Sequence, residues 1–307
     1  MQREQQTDLQ TIVRANRRTD VLIASIGILV LMIAMALLAS VFIDLIASGW
    51  PRLVNPEFYT NFPSRHPEQA GILSAMVGTS LVMLVTALIA IPLGVAAGVY
   101  LEEYAPRNWV TDAIEVNVSN LAGVPSIIYG LLALGLFVYI FGLGESVLTA
   151  GLVLALLILP VIIVATREAI RSIPLDLREA AYGLGADKWQ TVRMYILPTA
   201  RPGILTGAIV GLARAIGEAA PVITIGALTF IAFLPPPPLQ SEPPFINFDW
   251  LMSPFTVMPI QLFNWVSRPQ AEFHINAAAT GVVLMVMTLV MNGLAIYIRY
   301  RLRKHLR

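Results

Sequence analysis

Two full charges, Arg214 and Glu218, interrupt an otherwise uncharged stretch over residues 202–241. Four residues apart on a helix they share one face, where a guanidinium and a carboxylate can pair. A charge within hydrocarbon costs a few kcal/mol, so both side chains should face protein or water rather than lipid. An arginine held there can receive an anion. A carboxylate beside it keeps the guanidinium charged and oriented, and loosens its hold so that the anion can leave. Gly203, Gly207, Gly211, Gly217 and Pro221 recur on the same face at offsets close to whole turns. Glycines spaced by four also let helices approach closely, in which case the ion pair fixes register; both readings can hold at different depths. Pro221 cannot donate to the carbonyl of Gly217, which favours a kink beside Glu218. Asn120 and Ser126 either face the same path or bond to neighbouring helices.

Other chemistries find few residues. There is no cysteine, and the three histidines, His66, His274 and His305, are far apart, so no metal site is expected. No nucleophile–base pair stands out, and no residue is assigned a catalytic role. The only lysines are Lys188 and Lys304, and neither follows a glycine, so a phosphate-cradling P-loop is absent and this chain should bind no ATP. A net charge of +1 provides no field for steering nucleic acid.

These residues need elements to carry them. The chain is 57% apolar and only 13% charged, with a mean hydropathy of +0.73; a soluble chain carries roughly a quarter charged residues. Uncharged stretches cover residues 21–43, 72–101, 116–144, 146–166 and 275–298, besides 202–241. Each suffices for the roughly 20 residues of a membrane crossing. Backbone groups in lipid must bond internally, so each is expected to be a helix. The alternating ten-residue pattern of a barrel is missing. The fold class is therefore all-α integral membrane, with six transmembrane helices. The first crossing, 21–46, is longer than a signal-peptide core and is read as retained.

Arginine and lysine set the orientation. Arg3, Arg14, Arg17 and Arg18 lie in the N-terminal tail (1–20), and further clusters lie at 167–201 and 299–307. The opposite loops hold only Arg52, Arg65 and Arg268, which makes both termini cytoplasmic. Glu102 and Glu103, ending the second crossing, are assigned to solvent. The outer loops, 47–70, 142–145 and 233–273, are too short to form a substrate-binding domain. The last is rich in proline at 235–238, 243 and 244 and should be extended, with its part at 255–265 lying in the membrane interface. The basic tail at 301–307 suits anionic lipid.

The cytoplasmic loop at 172–200 is more than a connection. Ser172-Ile173-Pro174 breaks a helix that ends with Arg167 and Arg171. Asp176 is expected to cap a short helix carrying Leu177, Ala180, Ala181 and Leu184, which the Gly183/Gly185 pair ends. A second begins near Asp187, presents Trp189, Val192 and Met194, and is expected to stop at Pro198. Two short helices with exposed apolar residues either lie on lipid headgroups or dock a cytoplasmic subunit.

Glu179-Ala180-Ala181, Gly185 four residues on, and Leu197-Pro198 resemble the EAA loop of ABC importer permeases, with Tyr195 where that pattern has an aliphatic residue. Arg214-Ala215-Ile216-Gly217-Glu218-Ala219-Ala220-Pro221 resembles the signature of phosphate-specific ABC importer permeases. So do Asn120-Leu121-Ala122-Gly123-Val124-Pro125-Ser126-Ile127-Ile128-Tyr129-Gly130 and Phe263-Asn264-Trp265-Val266-Ser267-Arg268-Pro269, more in the PstA than the PstC manner. Ala219 departs from the family's usual threonine. The resemblance runs from residue 72 to the C-terminus.

It implies a type I ABC importer permease fold, with one N-terminal helix plus a five-helix core within 71–300, in a bacterial inner membrane. It further implies a homologous PstC-type permease, a PstB-type ATPase dimer that binds ATP and Mg, an external PstS-type phosphate-binding protein, and inorganic phosphate as cargo. The EAA loop, through Glu179, Ala180, Ala181, Leu184, Gly185, Trp189 and Pro198, would seat in a cleft of the ATPase. Two alternatives stay open: an importer of phosphonate, sulfate or molybdate, and a proton-coupled secondary transporter with Glu218 as carrier. Arginine meets any tetrahedral anion by charge and geometry.

Overall fold

The computed structural model describes residues 2–240 and 245–304, with side chains between Thr19 and Arg301. Pro243, Pro244 and the end of the basic tail from His305 lie outside the described residues. Among the described residues there is no β-strand.

Helix α1 runs Gln2–Leu53, past both borders expected for a tail, a crossing at 21–46 and a loop from 47. Its apolar surface is exposed along 19–41, and it rests on α12 (Ala271–Lys304) near its C-terminal end. There Gly49 admits the backbone of Ala279, which a Cβ would approach to 2.6 Å. Arg52, 9% exposed, donates to the carbonyls of Glu68 and Ala70 and stands over the ring of Phe58. The hairpin that follows, with α2 (Glu57–Thr60), is thus tied to the end of α1.

Helix α3 (Leu73–Val99) continues through a π-helical turn at Tyr100–Tyr104. It packs along α6 (Val147–Arg171), where Gly94 meets Ile162 and Gly98 meets Thr166. Helix α6 is central and contacts α3, α4, α5 and α9. Its buried face, with Leu157, Ile158 and Ile162, makes the main core with Val82 and Val85 of α3.

Two expected crossings are not rods. The stretch 116–144 divides into α4 (Trp109–Leu121) and α5 (Ser126–Ala133, extended to Ile140 by a π-helical segment), which meet at 107°. Pro125 has no N–H to continue α4 and pushes Val124 out of the helical region, so the chain turns a corner at Gly123–Pro125. The stretch 202–241 is helical only to Ile216. Helix α9 (Leu197–Ile216) ends at Gly217, the short α10 (Ala220–Thr224) follows with Pro221 in its first turn, and the remaining described residues to 257 are largely irregular. The kink expected at Pro221 is a complete break.

The reverse happens at Pro198. Helix continues from α8 (Lys188–Thr191) through a π-helical turn at Val192–Ile196 into α9, so the expected stop is absent. The wide turn before the proline relieves the clash with the carbonyl four residues back. Residues 255–265 also differ from expectation. Phe255 and Ile260 are 2% and 1% exposed and Trp265 is fully buried, so this segment is core rather than membrane interface. Helix α11 (Met258–Val266) contacts α3 and α12, its first N–H bonded to Thr79 Oγ1. Trp265 joins Phe58 and Phe273 in an outer aromatic cluster.

Candidate functional site

Arg214 occupies the last turn of α9, where a cation suits the negative end of the helix dipole. Its Nε lies 3.4 Å from Glu218 Oε1, and its Nη1 donates at 3.5 Å to the carbonyl of Ala122 in the α4–α5 corner. The pair keeps the expected spacing but spans the end of the helix, because Glu218 lies beyond the Gly217 cap. The two side chains are 35% and 22% exposed. The end of α9 and the α4–α5 corner therefore converge on one partly open guanidinium. Glu218 also lines a void of about 10 Å³ with Thr79, Met83, Ala215 and Val222, the size of a single water.

The glycine row does one job. A Cβ on Gly203 would lie 2.5 Å from that of Ala169 on α6, Gly207 faces Ala165 likewise, and Gly211 touches Ile158 at ordinary distance. These three pack α9 onto α6. Gly217 packs against nothing and is the helix cap instead. Pro221 approaches α5, where Gly130 leaves room: a Cβ there would lie 2.7 Å from the proline Cα. Of the polar pair, Ser126 opens α5 just past the corner. Asn120 is exposed and lines a cleft with Glu115, Ser119 and Arg167.

The loop expected to dock a partner forms helix α7 (Leu175–Gly183), which ends in a Schellman arrangement. Gly185 N–H donates to the Tyr182 carbonyl and Ala186 N–H to that of Ala181, with Gly185 at φ +84°. Asp176 lies inside the first turn and caps nothing; Pro174 precedes the helix. Asp187 does cap α8, in a reciprocal box with Gln190. Ala181 is buried, and Leu177 of the same helix packs on a small core of Ile170, Val192 and Ile196. Glu179, Ala180, Leu184, Gly185 and Trp189 are exposed, and Pro198 is half-buried. Leu175, Leu184, Trp189 and Met194 leave a row of large apolar side chains uncovered on this surface.

Glu102 and Glu103, expected in solvent, are mostly covered and paired. Arg171 grips Glu102 with both Nε (3.1 Å) and Nη2 (2.9 Å), and Arg178 of α7 donates to Glu103 at 2.9 Å. Arg167, 6% exposed, reaches Glu102 at 3.5 Å and Glu115 of α4 at 2.5 Å. The sequence signal was available as three arginines in one loop facing three glutamates in another, but partners 69 and 75 residues apart become visible only once α3 lies on α6.

Residues 90–304 match the family described as binding-protein-dependent transport system inner membrane component. A probable ABC transporter permease, YqgI of Bacillus subtilis, is 35% identical over 288 residues, 90% of this chain and 94% of that protein. The phosphate transport system permease protein PstA 1 of Mycobacterium tuberculosis is 31% identical over 258 residues, 83% of this chain and 80% of that one. A solved bacterial alginate ABC transporter, in complex with its pentasaccharide-bound periplasmic protein, contains a chain matched at TM-score 0.64 and 15% identity, over 92% of this chain and 96% of that chain. At that identity the likeness is one of fold, and the fold is that of an ABC importer permease. The chain therefore belongs to the family of binding-protein-dependent transport system inner membrane components.

Proposed function

We propose that the chain is the transmembrane permease subunit of an ATP-driven importer of inorganic phosphate. It is a transport subunit and not an enzyme. The observation that carries the substrate is the similarity, over about four fifths of both chains, to a permease named for phosphate transport. The chemistry agrees: Arg214 is a partly open guanidinium at the end of a membrane helix, steadied by Glu218 and by one carbonyl. In this reading Arg214 meets the passing anion and Glu218 prevents it from binding too firmly. Ser126, at the start of α5, is placed near the same corner.

The cytoplasmic partner is an ATPase dimer that binds ATP and Mg and seats on α7 and α8 through Leu184, Trp189 and the surface around Glu179 and Ala180. A homologous PstC-type permease completes the pathway, and a PstS-type protein delivers phosphate from outside. Both termini are cytoplasmic, which puts the docking loop on the ATPase side. Arg214→Gln tests the reading: the complex should assemble in normal amounts while phosphate uptake into proteoliposomes is lost. Undiminished uptake would remove Arg214 from the path.

A further inference from the structure

Helix α4 is held to α6 and α5 chiefly by polar contacts. Its apolar residues Trp109, Val110, Ile114 and Val116 are 79%, 44%, 45% and 59% exposed, so little hydrophobic packing fixes it. Open clefts flank it, one of about 700 Å³ lined by Pro106, Asp112, Arg171 and Arg178, the other of about 300 Å³ lined by Val116, Asn120 and Glu168. Between them the bridge from Arg167 to Glu115 crosses from α6. The Nε and Nη2 atoms of Arg167 are buried, and among the described residues their charge is balanced by Glu102 and Glu115. At its other end α4 gives its last carbonyls to the Arg214 site: Leu121 accepts from Tyr129 Oη at 2.8 Å, and Ala122 from Arg214 Nη1.

The same arginine–glutamate chain leads back to the docking loop. Arg178 of α7 donates to Glu103 and also to the carbonyls of Ile170 and Ile173, while Lys188 of α8 stands over the ring of Tyr104, 5.1 Å from its centre. Glu103 adjoins Glu102, which Arg171 and Arg167 share. These contacts connect α7 to the end of α3, to α6, and through Arg167 to the middle of α4.

We propose that α4 is a lever that links the docking loop to Arg214, and that Glu115, paired with Arg167, is the positioning residue that connects it. This rests on the docking and phosphate readings above. When the ATPase moves α7, the Arg167–Glu115 bridge turns α4, and its far end shifts the Ala122 carbonyl against the Arg214 guanidinium. The anion contact is then tightened or released in step with nucleotide.

The test compares Glu115→Gln, which removes the charge at nearly constant shape, with Glu115→Asp, which keeps it. Each is assembled with the partner permease, the ATPase and the binding protein in proteoliposomes, where ATP hydrolysis, phosphate uptake and retained ATPase are measured. Coupling free energies between sites commonly correspond to about 5- to 150-fold effects. In Glu115→Gln, uptake per ATP hydrolysed is expected to fall about fivefold or more with the ATPase fully retained, and Glu115→Asp should preserve most of the parental ratio. An unchanged ratio in Glu115→Gln overturns the proposal. So does a proportional loss of uptake and hydrolysis, or a loss of bound ATPase, since each marks a purely structural role. A parental complex that fails to take up phosphate would instead count against the substrate reading, and one that retains no ATPase against the docking reading.

Discussion

Leu184 caps α7 with its side chain 83% exposed, on the surface proposed to seat the ATPase. Burying a whole leucine side chain stabilises an association by about 1.5–3 kcal/mol. With most of the area still available and an alanine methyl retaining part of it, Leu184→Ala should weaken docking by about 1–2 kcal/mol, roughly 5- to 30-fold in affinity. The permease fold should not notice, because a surface side chain without buried contacts changes stability by no more than about 0.5 kcal/mol. The assay is titration of labelled ATPase onto the detergent-purified permease pair, beside thermal unfolding of the pair alone. An affinity equal to the parent's would refute the view that this row of apolar residues is a docking surface. A large drop in thermal stability would refute the burial argument itself.

Three further outcomes are expected. Gly203→Val forces α9 off Ala169 of α6 and should lower stability in detergent by about 1–3 kcal/mol; the exchange Gly203→Ala with Ala169→Gly moves one methyl across the interface and should restore it within about 1 kcal/mol in heat-unfolding measurements. Arg52→Met leaves the buried carbonyl of Ala70 and the partly buried one of Glu68 without their donor at a cost of about 1–3 kcal/mol, read as lower thermal stability and faster proteolysis of the hairpin between residues 61 and 70. The chain has no cysteine, so single replacements report topology without background: an impermeant maleimide should label Arg65→Cys in intact cells, and Leu184→Cys only after the membrane is opened.

Much of the architecture follows from properties that neighbouring residues carry together. Four long apolar helices and one bent crossing match five of the six uncharged stretches, because hydrophobicity over some twenty residues is a local sum and lipid permits little except helix; the sixth is displaced, its helix running Lys188–Ile216 instead of covering 202–241. The break after Ser172, the glycine end of α7 and the helix start near Asp187 were legible for the same reason: each depends on contacts within four or five residues. Local rules misled where neighbours compensated. Pro198 looked like a stop, but a π-helical turn absorbs it, and Pro221 looked like a kink where Gly217 allows the helix to end altogether.

The sequence by itself determined that this protein lies in lipid, carries a helical loop with exposed apolar side chains and holds one arginine–glutamate pair in an apolar stretch. Only the tertiary structure decided what those charges meet. Glu102 and Glu103 are solvent groups by composition and ion-pair partners by geometry, since α3 can lie on α6 only as closely as Gly94 and Gly98 allow. The same packing brings Arg167 to Glu115 and the α4–α5 corner to Arg214. A charge pair works over a few ångströms whatever the distance along the chain, so its partner is fixed by the fold and not by spacing.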